Sequence, residues 1–238
     1  SSVCTIFVHF SFKELTPYKG GWCGNEIFAD AFTPAIRRKA KKYTEQFGNQ
    51  LRKEGYKGYF ELDFLIDQDD QQLYLGELNP RITGASSITN HAVFALSDMP
   101  LFMFHLLEWM NQPYKISVNA INRRWFNPEN IDSWGQLVIK YTDKKIQVIT
   151  EAPRSGIYKM NDDGTIKFSR MDTHRRAVET ENEAFFLRIS RNDDYFYEGA
   201  DMGILVMRGR LMTDDFKLRP RAEKWIKAIK SMYKAVDY

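Results

Sequence analysis

Two apolar runs separated by an acidic turn, GYFELDFLID at residues 58–67 and QLYLGELNPR at 72–81, restrict this chain more than any other stretch. The turn residues Asp67, Asp69 and Asp70 are what a hairpin loop calls for. The flanking runs predict paired strands over Tyr59–Ile66 and Gln72–Leu78. A strand alternates its faces, so Glu61 and Asp63 share one side, as do Glu77 and Asn79. With matching register, oxygen-bearing side chains converge across the two strands. Carboxylates inside apolar strands cost free energy unless they are paired or bound to metal. The pattern therefore points to a hard divalent cation.

Magnesium takes one or two carboxylates and completes its shell with water and substrate phosphate oxygens. Asp63, Glu77 and Asn79 suit that role, and strand parity alone leaves Glu61 as an alternative to Asp63. Arg81 can aim a guanidinium fork at a phosphoryl or carboxylate oxygen. Cations and an arginine together neutralise the charge that builds up when a γ-phosphoryl group moves.

The rest of the chain divides by pattern. Val3–Phe10 reads as a strand, and the glycines in residues 18–25 read as a plain loop without phosphate-loop spacing. Thr33-Pro34 starts a helix whose apolar face is Ile36, Ala40, Tyr43, Phe47 and Leu51 and which stops at Gly55. Its other face, Arg37, Arg38, Lys39, Lys41 and Lys42, is expected to be solvated. A second helix is expected from Ser97-Asp98-Met99-Pro100 to Met110, its aromatic stripe in the core. Residues 1–112 then form one region and 113–133 a connector. Residues 134–238 carry short apolar runs with turns between them, which suggests an antiparallel barrel or sandwich. That region closes on a helix from Arg219 to Val236. Glu183 and Arg188 within it read as surface charges.

Composition narrows the function. The formal charge is +3, from 34 basic and 31 acidic residues, too small to call for nucleic acid or an anionic membrane as partner. Cys4 and Cys23 form neither a disulfide framework nor a metal pattern, which favours a reducing, cytoplasmic setting. Cys23 beside Trp22 is expected to be buried and inert. No apolar run approaches the roughly 18 residues of a membrane span. The opening SSVCTIFV reads as the interior of a domain, so N-terminal material is expected upstream.

Asp63-Phe64 in GYFELDFLID, followed by Glu77-Leu78-Asn79-Pro80-Arg81, resembles the metal-binding end of the ATP-grasp superfamily, nearest to biotin carboxylase and its relatives. The lead-in Glu54-Gly55-Tyr56-Lys57-Gly58 and the segment Gly20-Gly21-Trp22 resemble the same fold. The resemblance implies an α+β chain: the C-terminal portion of an ATP-grasp fold, with an antiparallel sheet and flanking helices, then a β-rich region and a terminal helix. It implies ATP and Mg²⁺ (or Mn²⁺) as cofactors and an ATP-dependent ligase that activates a carboxylate or bicarbonate as an acyl phosphate for attack by a nucleophile. By position, Asp63 and Glu77 become metal ligands, Glu77 bridging, and Asn79 a ligand of a second ion. Arg81 becomes the residue that contacts phosphate or the acyl intermediate. The ATP-phosphate half of such a site is not recognisable here. The isolated chain is therefore expected to be inactive, or to serve as a non-catalytic docking module for a missing N-terminal half. A homodimer is compatible with the resemblance. Ile82-Thr83-Gly84-Ala85-Ser86 departs from the biotin carboxylase continuation and turns the expectation toward a carboxylate–amine ligase, with Thr83, Ser86 and Ser87 as candidate substrate contacts.

Overall fold

A computed structural model describes residues 8–67, 69–90 and 99–238. In chain order these contain β1 (Val8–Phe10), β2 (Gly24–Ile27), α1 (Pro34–Lys53), β3 (Glu61–Ile66), β4 (Leu73–Asn79), a 3-10 turn (Gly84–Asn90), α2 (Leu101–Trp109) and α3 (Val118–Trp125). There follow β5 (Trp134–Lys140), β6 (Gln147–Glu151), β7 (Gly156–Met160), β8 (Ile166–Arg170), β9 (Glu183–Arg188), β10 (Tyr195–Phe196), β11 (Asp201–Arg208), α4 (Pro220–Ser231) and β12 (Lys234–Asp237). The chain is α+β, with antiparallel sheets and flanking helices. It forms two units, one of Ile27–Asp132 and one of Val8–Glu26 with Ser133–Tyr238. Expectations for Cys4, Ser97 and Asp98, and for residues 3–7 of the expected first strand, fall outside the described residues.

In the larger unit a seven-stranded sheet runs in the order β1-β2-β5-β11-β9-β7-β8. Among the described residues the order is linear, and the expected barrel closure is not seen among them. β11 pairs antiparallel with β5 on one side and β9 on the other. Leu137, Ile139, Phe186, Leu205 and Met207 from these strands share one core with Ala222, Trp225, Ile226 and Ile229 of α4. The helix residues recur at three and four positions, the stripe an amphipathic helix turns to a sheet. Ile149 of β6 and Phe196 of β10 join the same core.

Two expectations for residues 134–238 are corrected. The last helix was expected to reach Val236 but ends at Ser231, and Lys234–Asp237 becomes the edge strand β12 on β6. Tyr233 at the junction is buried and its phenol donates to the Met202 carbonyl at 2.7 Å. That bond and the β6 ladder outweigh helix propensity. Glu183, expected at the surface, is 7% exposed and accepts from Arg170 Nη1 at 2.6 Å and from the Glu179 amide.

The glycine-rich stretch ends not in a loop but in β2. Gly24 has φ +142°, and a Cβ there would lie 2.2 Å from the Gln136 carbonyl oxygen, so only glycine lets β2 lie this close to β5. Cys23 is buried, as expected, and burial pushes its thiol up to about 11. Next along, the fully buried Glu26 accepts from Arg210 Nε at 2.9 Å, the Leu211 amide at 2.8 Å and the Met212 amide at 3.3 Å.

In the smaller unit the Thr33 hydroxyl caps α1 by accepting from the Ile36 amide at 3.3 Å. Ile36 and Ala40 pack with Leu73, Phe32, Tyr43, Phe64 and Ile66, which seats the β3–β4 hairpin on the helix. The basic face of α1 is not simply solvated. Arg37 and Lys41 each lie 5.5 Å from the centre of the Phe126 ring, and Lys39 donates to Gln72. The expected connector contains α3, with Ile121 and Trp125 buried. In α2 the expectation of a core stripe fails: no residue of this helix is buried, and Trp109 is 61% exposed. Among its ties to the described residues is His105, whose Nδ1 accepts from the Tyr59 amide at 3.0 Å. No described helix is long and apolar enough to cross a membrane.

Glu26→Ala strips the acceptor from the half-buried Arg210 guanidinium and from two buried amides, and is expected to lower the unfolding free energy by about 3 kcal/mol in urea denaturation. Glu183 supplies a pH test. The Arg170 guanidinium holds its carboxyl below the ordinary value of 4.5. Its contribution is complete above that value and is lost as pH falls through the depressed folded value. Denaturation midpoints between pH 6 and pH 3 are expected to fall less steeply in Glu183→Gln than in the unsubstituted protein.

Candidate functional site

β3 and β4 pair with Glu61 opposite Asn79, Leu62 opposite Leu78, Asp63 opposite Glu77 and Phe64 opposite Leu75. The register slips once, between Asp63 and Phe64, leaving Gly76 as the extra residue of a β-bulge. Without the slip, Leu73, Leu75, Glu77 and Asn79 would all point one way. With it, Leu73 and Leu75 turn to the side of Phe64 and Ile66, which packs on α1. Glu77 and Asn79 turn to the side of Glu61 and Asp63. A Cβ at Gly76 would stand 3.2 Å from the Asp63 carbonyl oxygen, so glycine suits the tight side of the bulge. One face of the hairpin therefore gathers Glu61, Asp63, Glu77 and Asn79.

Of these, Asn79 is 8% exposed and Glu77 is exposed. The Asn79 amide nitrogen faces Asp63 Oδ2 at 3.5 Å, and its oxygen accepts from Arg81 Nη2 at 3.1 Å. Asn79 thus sits between the Asp63 carboxylate and the Arg81 guanidinium. Arg81 is turned back by a hydrogen bond from its own amide to the Asn79 carbonyl at 2.8 Å, and its Nη1 donates to the Ile82 carbonyl at 3.3 Å. Asp63, Asn79 and Arg81 are brought into one chain of contacts, and Glu77 lies directly across from Asp63.

Two facing carboxylates and an amide are a donor set that fits magnesium, which takes few protein carboxylates. Among the described residues no three His, Cys, Asp or Glu side chains gather to hold a metal by themselves. A cation on this face would draw its remaining ligands from water and phosphate oxygens.

The turn after Arg81 adds hydroxyls. Thr83 Oγ1 donates to Glu61 Oε2 at 2.6 Å, and the Thr83 amide donates to Ser86 Oγ at 3.0 Å. The two hydroxyl oxygens lie 3.2 Å apart. Thr89 Oγ1 donates to the Ser86 carbonyl at 2.7 Å. Burial pushes the Tyr59 phenol above its usual value, while hydrogen bonds with the Thr89 and Ser86 hydroxyls pull it back. The part played by Tyr59 escapes a reading by strand parity. The signal lies in Thr83, Ser86 and Thr89: residues three apart eclipse one another in a 3-10 helix and so share a side.

No protein-family profile matches the chain, and no curated protein matches its sequence. Solved structures do align with it. The chain is similar to two synthetases and a carboxylase. N5-carboxyaminoimidazole ribonucleotide synthetase from Thermotoga maritima aligns at TM-score 0.49 and 12% identity, over 90% of this chain and 46% of that one. Phosphoribosylglycinamide synthetase from Anaerococcus prevotii gives TM-score 0.47 and 13% identity, over 91% and 46%. Pyruvate carboxylase from Rhizobium etli, as its T882A variant, gives TM-score 0.49 and 14% identity, over 92% and 19%. The chain spans less than half the length of each.

Asn79→Ala removes the group between Asp63 and Arg81, and is expected to cost about 1–2 kcal/mol in urea denaturation. Glu77→Gln, at an exposed position, is expected to leave stability within about 0.5 kcal/mol.

Proposed function

We propose that this chain is the metal-binding portion of an ATP-grasp ligase that uses Mg-ATP to activate a carboxylate for attack by an amine. The observation that carries this reading is the bulged register that sets Asp63 opposite Glu77, with Asn79 and Arg81 on the same face. It is supported by the resemblance of Glu77-Leu78-Asn79-Pro80-Arg81 after the Asp63 strand to the motif of that superfamily.

In this reading Asp63 and Glu77 hold Mg²⁺, with Asn79 beside them. A metal ion held there would neutralise charge on the nucleotide phosphates during phosphoryl transfer. Arg81 contributes a planar fork suited to a phosphoryl or carboxylate oxygen, and its present partner is a neutral amide rather than an acid. The turn at residues 82–90 brings hydroxyl and small side chains next to this face, which suits a polar carboxylate substrate better than an apolar one. Bicarbonate and biotin are disfavoured by the sequence that follows Arg81. Low cysteine use supports a reducing, cytoplasmic setting.

The test is ADP release with Mg-ATP by the longest polypeptide that carries this sequence, against a panel of carboxylates with amine acceptors. Glu77→Gln is expected to lower acceptor-dependent turnover by about 10²-fold or more, the scale on which removal of a charge-stabilising group acts. Asn79→Asp is expected to raise the nucleotide KM, since it adds negative charge beside the phosphates. Turnover unchanged in Glu77→Gln would remove Glu77 from the metal site and the reading with it.

A further inference from the structure

Helix α1 carries a charge arrangement that the candidate site does not use. Arg37 and Lys41 stand four residues apart, so they are neighbours on one face of the helix, and like charges at that spacing repel. Both lie 5.5 Å from the centre of one ring, Phe126. The first turn of α1 holds no acid, and the positive end of the helix dipole adds to the repulsion. Neither cation has an ion-pair partner among the described residues.

Arg37 Nη2 donates to the Phe126 carbonyl at 2.8 Å, which occupies one of the guanidinium's five N–H donors. Burial pulls the guanidinium below its usual value, and no acid pulls it back. Beside the pair is a notch in the surface whose walls are Phe28, Phe32, Trp125 and Phe126, and Arg37 is the one charged side chain lining it. Apolar walls next to charges of one sign focus the field, so an anion is drawn there more strongly than to an open helix face. A carboxylate would cancel one of the two charges. A phosphate monoester, with about −1.5 to −2 at pH 7, cancels both. The planar fork of Arg37 matches phosphate oxygens, and Lys41 adds a point charge.

We propose that Arg37 and Lys41 form a binding site for a phosphate monoester, with a flat ring on that ligand lying against the aromatic walls of the notch. None of these residues is on the β3–β4 face, and the inference does not depend on the reading of Asp63 and Glu77 as cation ligands. The Phe126 ring and carbonyl hold the two cations in place, and the ligand relieves their mutual repulsion.

The test is titration of the protein with phenyl phosphate, inorganic phosphate and benzoate at about pH 7 in metal-free buffer, read by calorimetry and by the NMR signal of the Arg37 Nε–H group. Phenyl phosphate is expected to shift that signal and to bind about tenfold more tightly than benzoate, with inorganic phosphate between them. Lys41→Met keeps the side-chain stem and is expected to weaken phenyl phosphate about tenfold. Arg37→Met is expected to weaken it at least as much, and Lys41→Met stands as the test if that variant does not fold. Lys53→Met, at the far end of the same helix, is expected to leave the affinity within about twofold, beyond the roughly 10 Å over which surface charges act in ordinary salt. An Arg37 signal that no ligand moves, or equal losses in Lys41→Met and Lys53→Met, overturns the site. Benzoate binding as tightly as phenyl phosphate overturns the phosphate, and inorganic phosphate binding as tightly overturns the ring.

Discussion

The bulge at Gly76 is the constraint on which the candidate site depends. A single extra residue in β4 lets one strand serve two demands that strict alternation would set against each other. On one side of the slip, Leu73 is buried against α1; on the other, Glu77 and Asn79 join Glu61 and Asp63 on the open face. If the pairing ran without the slip, either Leu73 would face water beside the carboxylates or the carboxylates would be driven into the small core with α1. Burying those charges unpaired would cost far more than the core returns. The same slip raises local twist and bends the strand, which is how bulges commonly re-aim side chains near functional sites.

Sequence period exposed most of the strands, because each apolar run in the second half is short and closed by turn residues such as Asn161-Asp162-Asp163-Gly164. β5, β7 and β11 each lie on one of the short apolar runs of residues 134–238. The hairpin was legible for the same reason, and α1 because Thr33-Pro34 is a strong start. What escaped were features set by contacts distant in sequence. The end of α4 is decided by Tyr233 reaching the Met202 carbonyl and by β12 adding to β6, neither of which the helical period of residues 219–236 can register. Glu183 looked like any surface acid until Arg170 was placed beside it.

The candidate site divides the same way. Parity placed Asp63 with Glu61, and Glu77 with Asn79, yet left open which acid the second pair meets. Register answers that: Asp63 faces Glu77, and Glu61 faces Asn79. The motif could not show that Asn79 stands between Asp63 and Arg81, since amide orientation follows from its surroundings. Helix α2 is the opposite lesson. Its apolar residues at helical spacing mark a core in most helices, yet Phe102, Met103, Leu106 and Trp109 stand exposed. Periodicity reports that a helix has an apolar face, not what covers it.

The buried Glu26 has a consequence for the order in which the chain can settle. Its partners, Arg210, Leu211 and Met212, lie in the last part of the sequence, and the strand that carries it neighbours β5 across the whole length of the smaller unit. The larger unit is therefore discontinuous, its first two strands made long before the others exist. Closing so long a loop costs entropy before any contact repays it, and non-local pairings of this kind slow folding. During synthesis at the ribosome, β1 and β2 must wait, with the Glu26 carboxylate still in water, while residues 27–132 emerge. β1 and β2 are then late pieces of the sheet although they are translated before its other strands, and folding of the larger unit is tied to completion of its C-terminal half.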